Sequence, residues 1–290
     1  MNSFNRQFFA GNRERLVSLL PNHLIVLTAH HLLQMSADQT FPFRQDSNFW
    51  YLTGLQEPDL VVCIDTKLHK SIIFFPERDS YHTDWDGAFD IDELRTISGI
   101  EIFEPIAKLN DYVAKAKNRK MQIGYLEPLP TLVQPYGFYS NPARSNLAEI
   151  LKKIAPNPKD VRMELARLRQ VKQPEEIASI QSAIDITGKA MQEVHDYIKS
   201  KNGLEVNEKS IEYIFSKNFV DSGEHAYEPI IASGKNAATI HYTHNSHQIS
   251  RNNFLLMDVG AKVNGYSADI SRTWFIGEKI TDRHKQLYGA

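Results

Sequence analysis

FLLMDVGAKVNGYSADISRTWFI, residues 254–276, is the stretch whose reading decides this chain. Asn264-Gly265 is the strongest short-range hairpin signal, a two-residue turn that needs φ > 0 at both positions. With the turn there, Val263 pairs with Tyr266, Val259 with Ile270 and Gly260 with Asp269. Two β-branched residues opposite each other support that register. Asp269 then faces a position two residues from Asp258, on the same side of the sheet. Their Cβ atoms are diagonal neighbours, roughly 7 Å apart. Two carboxylates that close repel in a buried setting unless they share a proton or a cation. Two metal ions about 3.5–4 Å apart fit between such groups. Oxygen ligands favour a hard ion such as Mn²⁺. The alternative is that both aspartates cap turns or pair with the nearby Arg272. The residues alone leave both readings open.

Upstream lies HYTHNSH (241–247), with three of the eleven histidines. Read as a strand, this run places His241 and His247 on one face and His244 on the other, poor geometry for three ligands to one metal. His241 is either a hydrogen-bond donor or proton shuttle pointing into the aspartate cleft, or a solvated side chain like the other two. Further upstream, Pro174 followed by Glu175 and Glu176 opens a helix. The spacing of Ile177, Ile180, Ile184, Thr187, Met191, Val194 and Ile198 predicts one buried stripe along it. A second helix is expected over about 207–221, with Ile211, Ile214, Phe215 and Phe219 on one face.

The first half alternates apolar runs with helical stretches. HLIVLT (23–28), FWYLTG (49–54), LVVCID (60–65), SIIFFP (71–76), IEIFEP (100–105) and QIGYLE (122–127) read as strands. Helices are expected at about 90–97, 107–118 and 146–154. Strands interleaved with helices argue for an α/β (α+β) layer structure with a mixed sheet. APNPKD (155–160) is the best linker, so the expected domains are 1–156 and 161–290. Two domains also suit 290 residues.

Composition narrows the function. Lys and Arg number 33 against 35 Asp and Glu, a formal net charge of −2. No field of one sign is available to hold nucleic acid or an anionic membrane. The one cysteine, Cys63, cannot make an internal disulfide and sits in an apolar run, where a buried, inert thiol is expected. The first residues lack a secretion signal, and no apolar run is long enough to span a membrane. A soluble, cytoplasmic protein is the expectation. HExxH, G-x-S-x-G, CxxC, G-x-G-x-x-G and P-loop motifs are all absent.

Several separated segments together resemble the aminopeptidase P family, the Xaa-Pro aminopeptidases of the pita-bread metallopeptidases. FPFRQDSNFWYLTGLQEPD (41–59) is similar to the family's N-terminal signature, and RLRQVKQPEEI (167–177) to the segment opening its catalytic domain. IIASGKNAATIHYTHN (230–245) and LLMDVGAKVNGYSADISRTW (255–274) resemble the first part of its metal-binding region. The resemblance implies a mixed-sheet, creatinase-like N-terminal domain followed by the first half of a pita-bread domain. It implies that Asp258 and Asp269 are the first two ligands of a pair of Mn²⁺ ions. His241 takes the place of a histidine that lines the catalytic site, and Tyr227 that of a residue near it. It further implies removal of the first residue from peptides with proline second, by a metal-bridging hydroxide. The family forms dimers or tetramers, and Trp85 in TDWDGA falls where a tryptophan reaches a neighbouring subunit's site. The basic residues that usually follow it are missing here.

The family completes its site downstream with one histidine and two glutamates. Only 21 residues follow Asp269, and Glu278 and His284 match none of those ligands. The expectation is therefore an incomplete chain, inactive by itself. Two alternatives stay open. One is a non-catalytic, peptide-binding pita-bread module. The other, within the enzyme class, is a prolidase or a creatinase-like amidinohydrolase.

Overall fold

The computed structural model describes residues 4–128, 140–201, 206–219, 223–277 and 279–288. Glu278, the end of the long helix at 202–203 and the last two residues expected in the second helix lie outside them. Contacts divide the chain into two compact units, one running from Phe4 to Val171 and the other from Lys172 onward.

The first unit contains α1 (Arg6–Leu19), β1 (His23–Thr28), β2 (Gln34–Ser36), β3 (Gln39–Thr40), α2 (Ser47–Thr53), β4 (Val61–Asp65), β5 (Lys70–Phe75), α3 (Ser80–Asp86), α4 (Ile91–Ser98), β6 (Ile102–Pro105), α5 (Leu109–Asn118), β7 (Gln122–Tyr125), α6 (Ala143–Ile154), β8 (Lys159–Asp160) and α7 (Arg162–Gln170). Its sheet has the order β6-β5-β4-β1-β7-β8. The β1–β4 and β4–β5 pairs are antiparallel, whereas β5–β6, β1–β7 and β7–β8 are parallel. The mixed sheet read from the strand–helix alternation is present. Leu24, Val26, Cys63, Ile72 and Phe74 pack with Val113 of α5 and Leu151 of α6. The alternate residues Ile25, Leu27, Val62, Ile64 and Ile73 are buried too. Strands covered on both faces read as unbroken apolar runs, which is why they were legible. Cys63 is fully buried, and burial, reinforced by Asp65, pushes its thiol above the ordinary value, as an inert core cysteine requires.

Two expectations for this unit are corrected. FWYLTG is a helix, not a strand. The Asp46 carboxylate accepts from the amides of Asn48 and Phe49, and Gly54 closes the turn at φ 73°. Local capping overrides the β propensity of the aromatic residues between. The division also falls past the 155–160 linker. β8 continues the first sheet beside β7, Val161 donates to the Tyr125 carbonyl at 2.9 Å, and Val161 and Leu165 are buried. Residues 161–171 therefore pack with the first unit.

The second unit contains α8 (Pro174–Ser200), α9 (Glu208–Ser216), β9 (Glu224–His225), β10 (Ile230–Ser233), β11 (Asn253–Val259), β12 (Ala261–Val263), β13 (Tyr266–Ser267), β14 (Ile270–Ile276) and α10 (Asp282–Tyr288). Its strands form two small sheets, β10-β11-β14 and β13-β12-β9. The buried stripe of α8 is the expected one from Thr187 through Met191, Val194 and Ile198, and departs from it only in the first half of the helix. Ser179, Ala183, Thr187, Ala190, Met191, Val194 and Ile198 are buried, whereas Ile177 and Ile184 are exposed. Small residues on the inner face let the hairpin come close: Ala261 donates its amide to the Thr187 hydroxyl at 2.9 Å. Among the described residues no helix is long and apolar enough to cross a membrane.

The hairpin turn is built as its sequence requires. Asn264 and Gly265 have φ of 51° and 84°, and Val263 pairs with Tyr266. Asn264→Ala is expected to cost about 1 kcal/mol, because a Cβ without the asparagine amide is disfavoured in left-handed backbone. Asn264→Gly should be near neutral. Urea unfolding midpoints of the two variants check this.

Candidate metal centre

The register of 254–276 is the expected one throughout. Lys262 pairs with Ser267, Ala268 donates to Ala261 at 2.9 Å, and Val259 lies opposite Ile270. Along β11, Leu255, Met257 and Val259 turn inward to the core with Phe215 and Ile276. Asp258 therefore turns outward.

At Gly260 the ribbon leaves one sheet and joins the other, where Ala261 pairs with His225 and the Ala226 amide donates to the Gly260 carbonyl at 2.8 Å. No side chain fits at 260: a Cβ there would stand 1.9 Å from the Ala268 oxygen. This close approach brings three chain segments together. Asp269 comes from one, Asp258 from the second and Tyr227 from the third.

The Tyr227 hydroxyl lies 2.5 Å from Asp258 Oδ1 and 2.9 Å from Asp269 Oδ1. The two aspartates thus share one face, as the hairpin arithmetic requires. A phenol has one hydrogen, so it satisfies one carboxylate at a time. Partial burial, the two hydrogen bonds and the two charges push the Tyr227 phenol above its ordinary value. Among the described residues, neither aspartate has an ion-pair partner. Arg272 instead gives its guanidinium to the Ser271 carbonyl at 2.8 Å. The arginine-pairing alternative does not describe this site. Two carboxylates without a cation, converging on one phenol, are a donor set that fits a hard divalent ion. Among the described residues, no group of three His, Cys, Asp or Glu side chains gathers around a metal position.

The histidine run differs from expectation. Residues 239–244 are not a strand; a short 3₁₀ turn (Gly234–Ala238) is followed by irregular backbone. His241 and His244 are exposed, and His247 places its ring 3.2 Å from the Tyr242 hydroxyl. Trp85 lies on α3 of the first unit, two-thirds exposed, with its ring 6.0 Å from that of Tyr81.

One residue that sequence reasoning missed is Glu208, at the first turn of α9 and fully buried. Its Oε1 accepts from the Ser233 amide, the Ser233 hydroxyl and the Asn236 amide group at 2.9, 3.0 and 3.2 Å. Its Oε2 accepts from the Tyr242 hydroxyl and the His247 amide at 2.7 and 3.0 Å. Burial works against the charge, yet the donors of His247, Tyr242, Ser233 and Asn236 outweigh it and hold the carboxyl below its ordinary value. In the sequence, Asn207-Glu208 reads only as a helix start.

With the geometry in hand, comparison with known proteins is direct. Residues 9–123 match the family model of the aminopeptidase P N-terminal domain, and residues 178–290 that of metallopeptidase family M24. The chain belongs to the aminopeptidase P family. It is 28% identical to Xaa-Pro aminopeptidase 3 of Mus musculus, over 97% of this chain and 58% of that protein. It is 28% identical to the Xaa-Pro aminopeptidase of Escherichia coli, over 99% of this chain and 66% of that protein. Among solved structures, a putative aminopeptidase P from Bacillus anthracis superposes with a TM-score of 0.83 at 27% identity, covering 99% of this chain and 68% of that one. The chain thus spans a little over half the length of the Mus musculus relative. The fold is that family's, an N-terminal domain followed by part of the M24 domain, and membership in a metallopeptidase family implies a divalent cation.

Proposed function

We propose that this chain carries the first half of the metal site of an Xaa-Pro aminopeptidase. Asp258 and Asp269 would hold two Mn²⁺ ions, with Tyr227 beside them and His241 serving as a hydrogen-bond or proton-transfer group. Peptides with proline in second position are the substrate class. When bound, divalent ions would supply Lewis acidity and lower the pKa of water for attack on the peptide carbonyl. The chain's own contribution is to fix two carboxylates in register and hold them apart from competing cations. Trp85, exposed on the first unit, would meet a neighbouring subunit in a dimer or tetramer. The observation that carries the reading is the convergence of Asp258 and Asp269 on one phenol, with neither carboxylate in an ion pair among the described residues.

Two carboxylates do not fill the coordination of two metals, so we assign peptide hydrolysis to a protein of the relatives' length and none to these 290 residues by themselves. The test is Mn²⁺-dependent release of the first residue from an Xaa-Pro peptide. The 290-residue chain is compared with one extended at its C-terminus to that length. Release only by the longer protein is expected. Release by the shorter chain would overturn its assigned inactivity, and none by either would overturn the peptidase reading. A non-catalytic peptide-binding module is the second reading. It gains nothing from two adjacent charges of one sign, and it predicts no calorimetric heat on adding Mn²⁺ to either protein.

A further inference from the structure

We infer that Glu208 is a positioning residue for the segment 233–247, and through it for His241; the catalytic meaning of that positioning rests on the function proposed above. The Glu208 carboxylate is fully buried and takes all five of its donors from this one segment, at Ser233, Asn236, Tyr242 and His247. The backbone is tied at the same place. The Glu208 amide donates to the His247 carbonyl at 2.9 Å, and the Ile249 amide to that of Val206 at 2.9 Å. One turn further along α9, Glu212 receives the side-chain amide of Asn245 at 3.0 Å. Tyr242, the residue after His241, has its ring buried and its hydroxyl held by Glu208 Oε2 at 2.7 Å.

Beyond Ser233, where β10 ends, residues 234–247 belong to no strand. The ends and the middle of the segment are fixed instead by one carboxylate, which accepts from side chains and main chain alike. A carboxylate has four lone-pair sites and no hydrogen, so it suits a nest of donors. A glutamine of equal volume turns an N–H₂ toward one of those N–H or O–H groups, donor against donor. His241 extends from the stretch between Asn236 and Tyr242, both of which Glu208 holds. Its imidazole is exposed, with no hydrogen bond to a described side chain, so its place is set by the backbone beneath it.

Glu208→Gln tests this, with both measurements made on the metal-free chain. Hydrogen exchange of the amides in 233–249 is expected to quicken roughly tenfold or more, while those of β11 and β14 keep their wild-type rates. The NMR signal of the His241 ring, assigned by its loss in His241→Asn, should shift or broaden, while that of Tyr227 stays in place. Equal quickening in the segment and the hairpin, with both ring signals moving together, would mean general destabilisation and would overturn the inference. So would an unchanged His241 signal. Should Glu208→Gln not fold, Tyr242→Phe removes one donor and leaves the carboxylate. It should quicken exchange a few-fold in 233–249 alone, and unchanged exchange there would overturn the inference. Because no metal is added, failure of the wild-type chain to bind Mn²⁺ would sink the proposed function without touching this result.

Discussion

Gly260→Ala is expected to cost at least about 3 kcal/mol, at the upper end of what overpacking produces. The added methyl would stand 1.9 Å from the Ala268 oxygen and 2.7 Å from its carbonyl carbon, where no real Cβ sits. Relief requires a shift of more than an ångström between strands locked by the Ala268–Ala261 and Ala226–Gly260 hydrogen bonds. Neither strand can give without breaking a ladder bond or dragging Val259 and Ala261 from the core. The same displacement would separate Asp258 from Asp269 and Tyr227, so Mn²⁺ binding should fall with stability. Urea unfolding and a Mn²⁺ titration of the variant check both halves. A variant within half a kilocalorie of wild type would show that the strands are looser here than their contacts imply.

Asp258→Asn is expected to act with opposite signs on two properties. In the metal-free chain it removes one of two like charges from a shared hydroxyl, leaving an amide oxygen able to accept from Tyr227. Like charges at such range cost about 1–4 kcal/mol for effective dielectrics between bulk water and a protein surface. Stability without metal should therefore hold or rise. Mn²⁺ affinity should drop at least about 100-fold, or roughly 2.7 kcal/mol at 1.36 kcal/mol per factor of ten. A structural role for Asp258 predicts the reverse, lost stability and no metal effect. Calorimetric Mn²⁺ titrations and urea midpoints on wild type and variant separate the two.

The parts of the fold legible in the sequence are those governed by neighbours along the chain. Asn264-Gly265 dictates a two-residue turn, and from it the period of two carries the register to Val259–Ile270 and to the aspartate pair. The apolar runs at 23–28 and 60–65 lie where the structure has β1 (His23–Thr28) and β4 (Val61–Asp65). The aromatic residues of FWYLTG favour strand, while the decisive helix signals are Asp46, three residues before it, and Gly54 at its end. On α8 the expected stripe holds from Thr187 to Ile198, but Ile177 and Ile184 before it are exposed, because isoleucines mark a core-facing side only when a partner surface lies there. There the small residues Ser179 and Ala183 are buried instead, and the hairpin meets the helix at Thr187.

From its amino acids in order, this chain settles the mixed sheet, the hairpin and the facing of Asp258 toward Asp269, because turn chemistry and strand alternation act over a few residues. Only the tertiary structure brings Tyr227 between those two acids, seats Glu208 among donors 25 to 39 residues away, and draws 161–171 into the first unit. Those contacts depend on which distant segments meet, and no local propensity encodes the meeting.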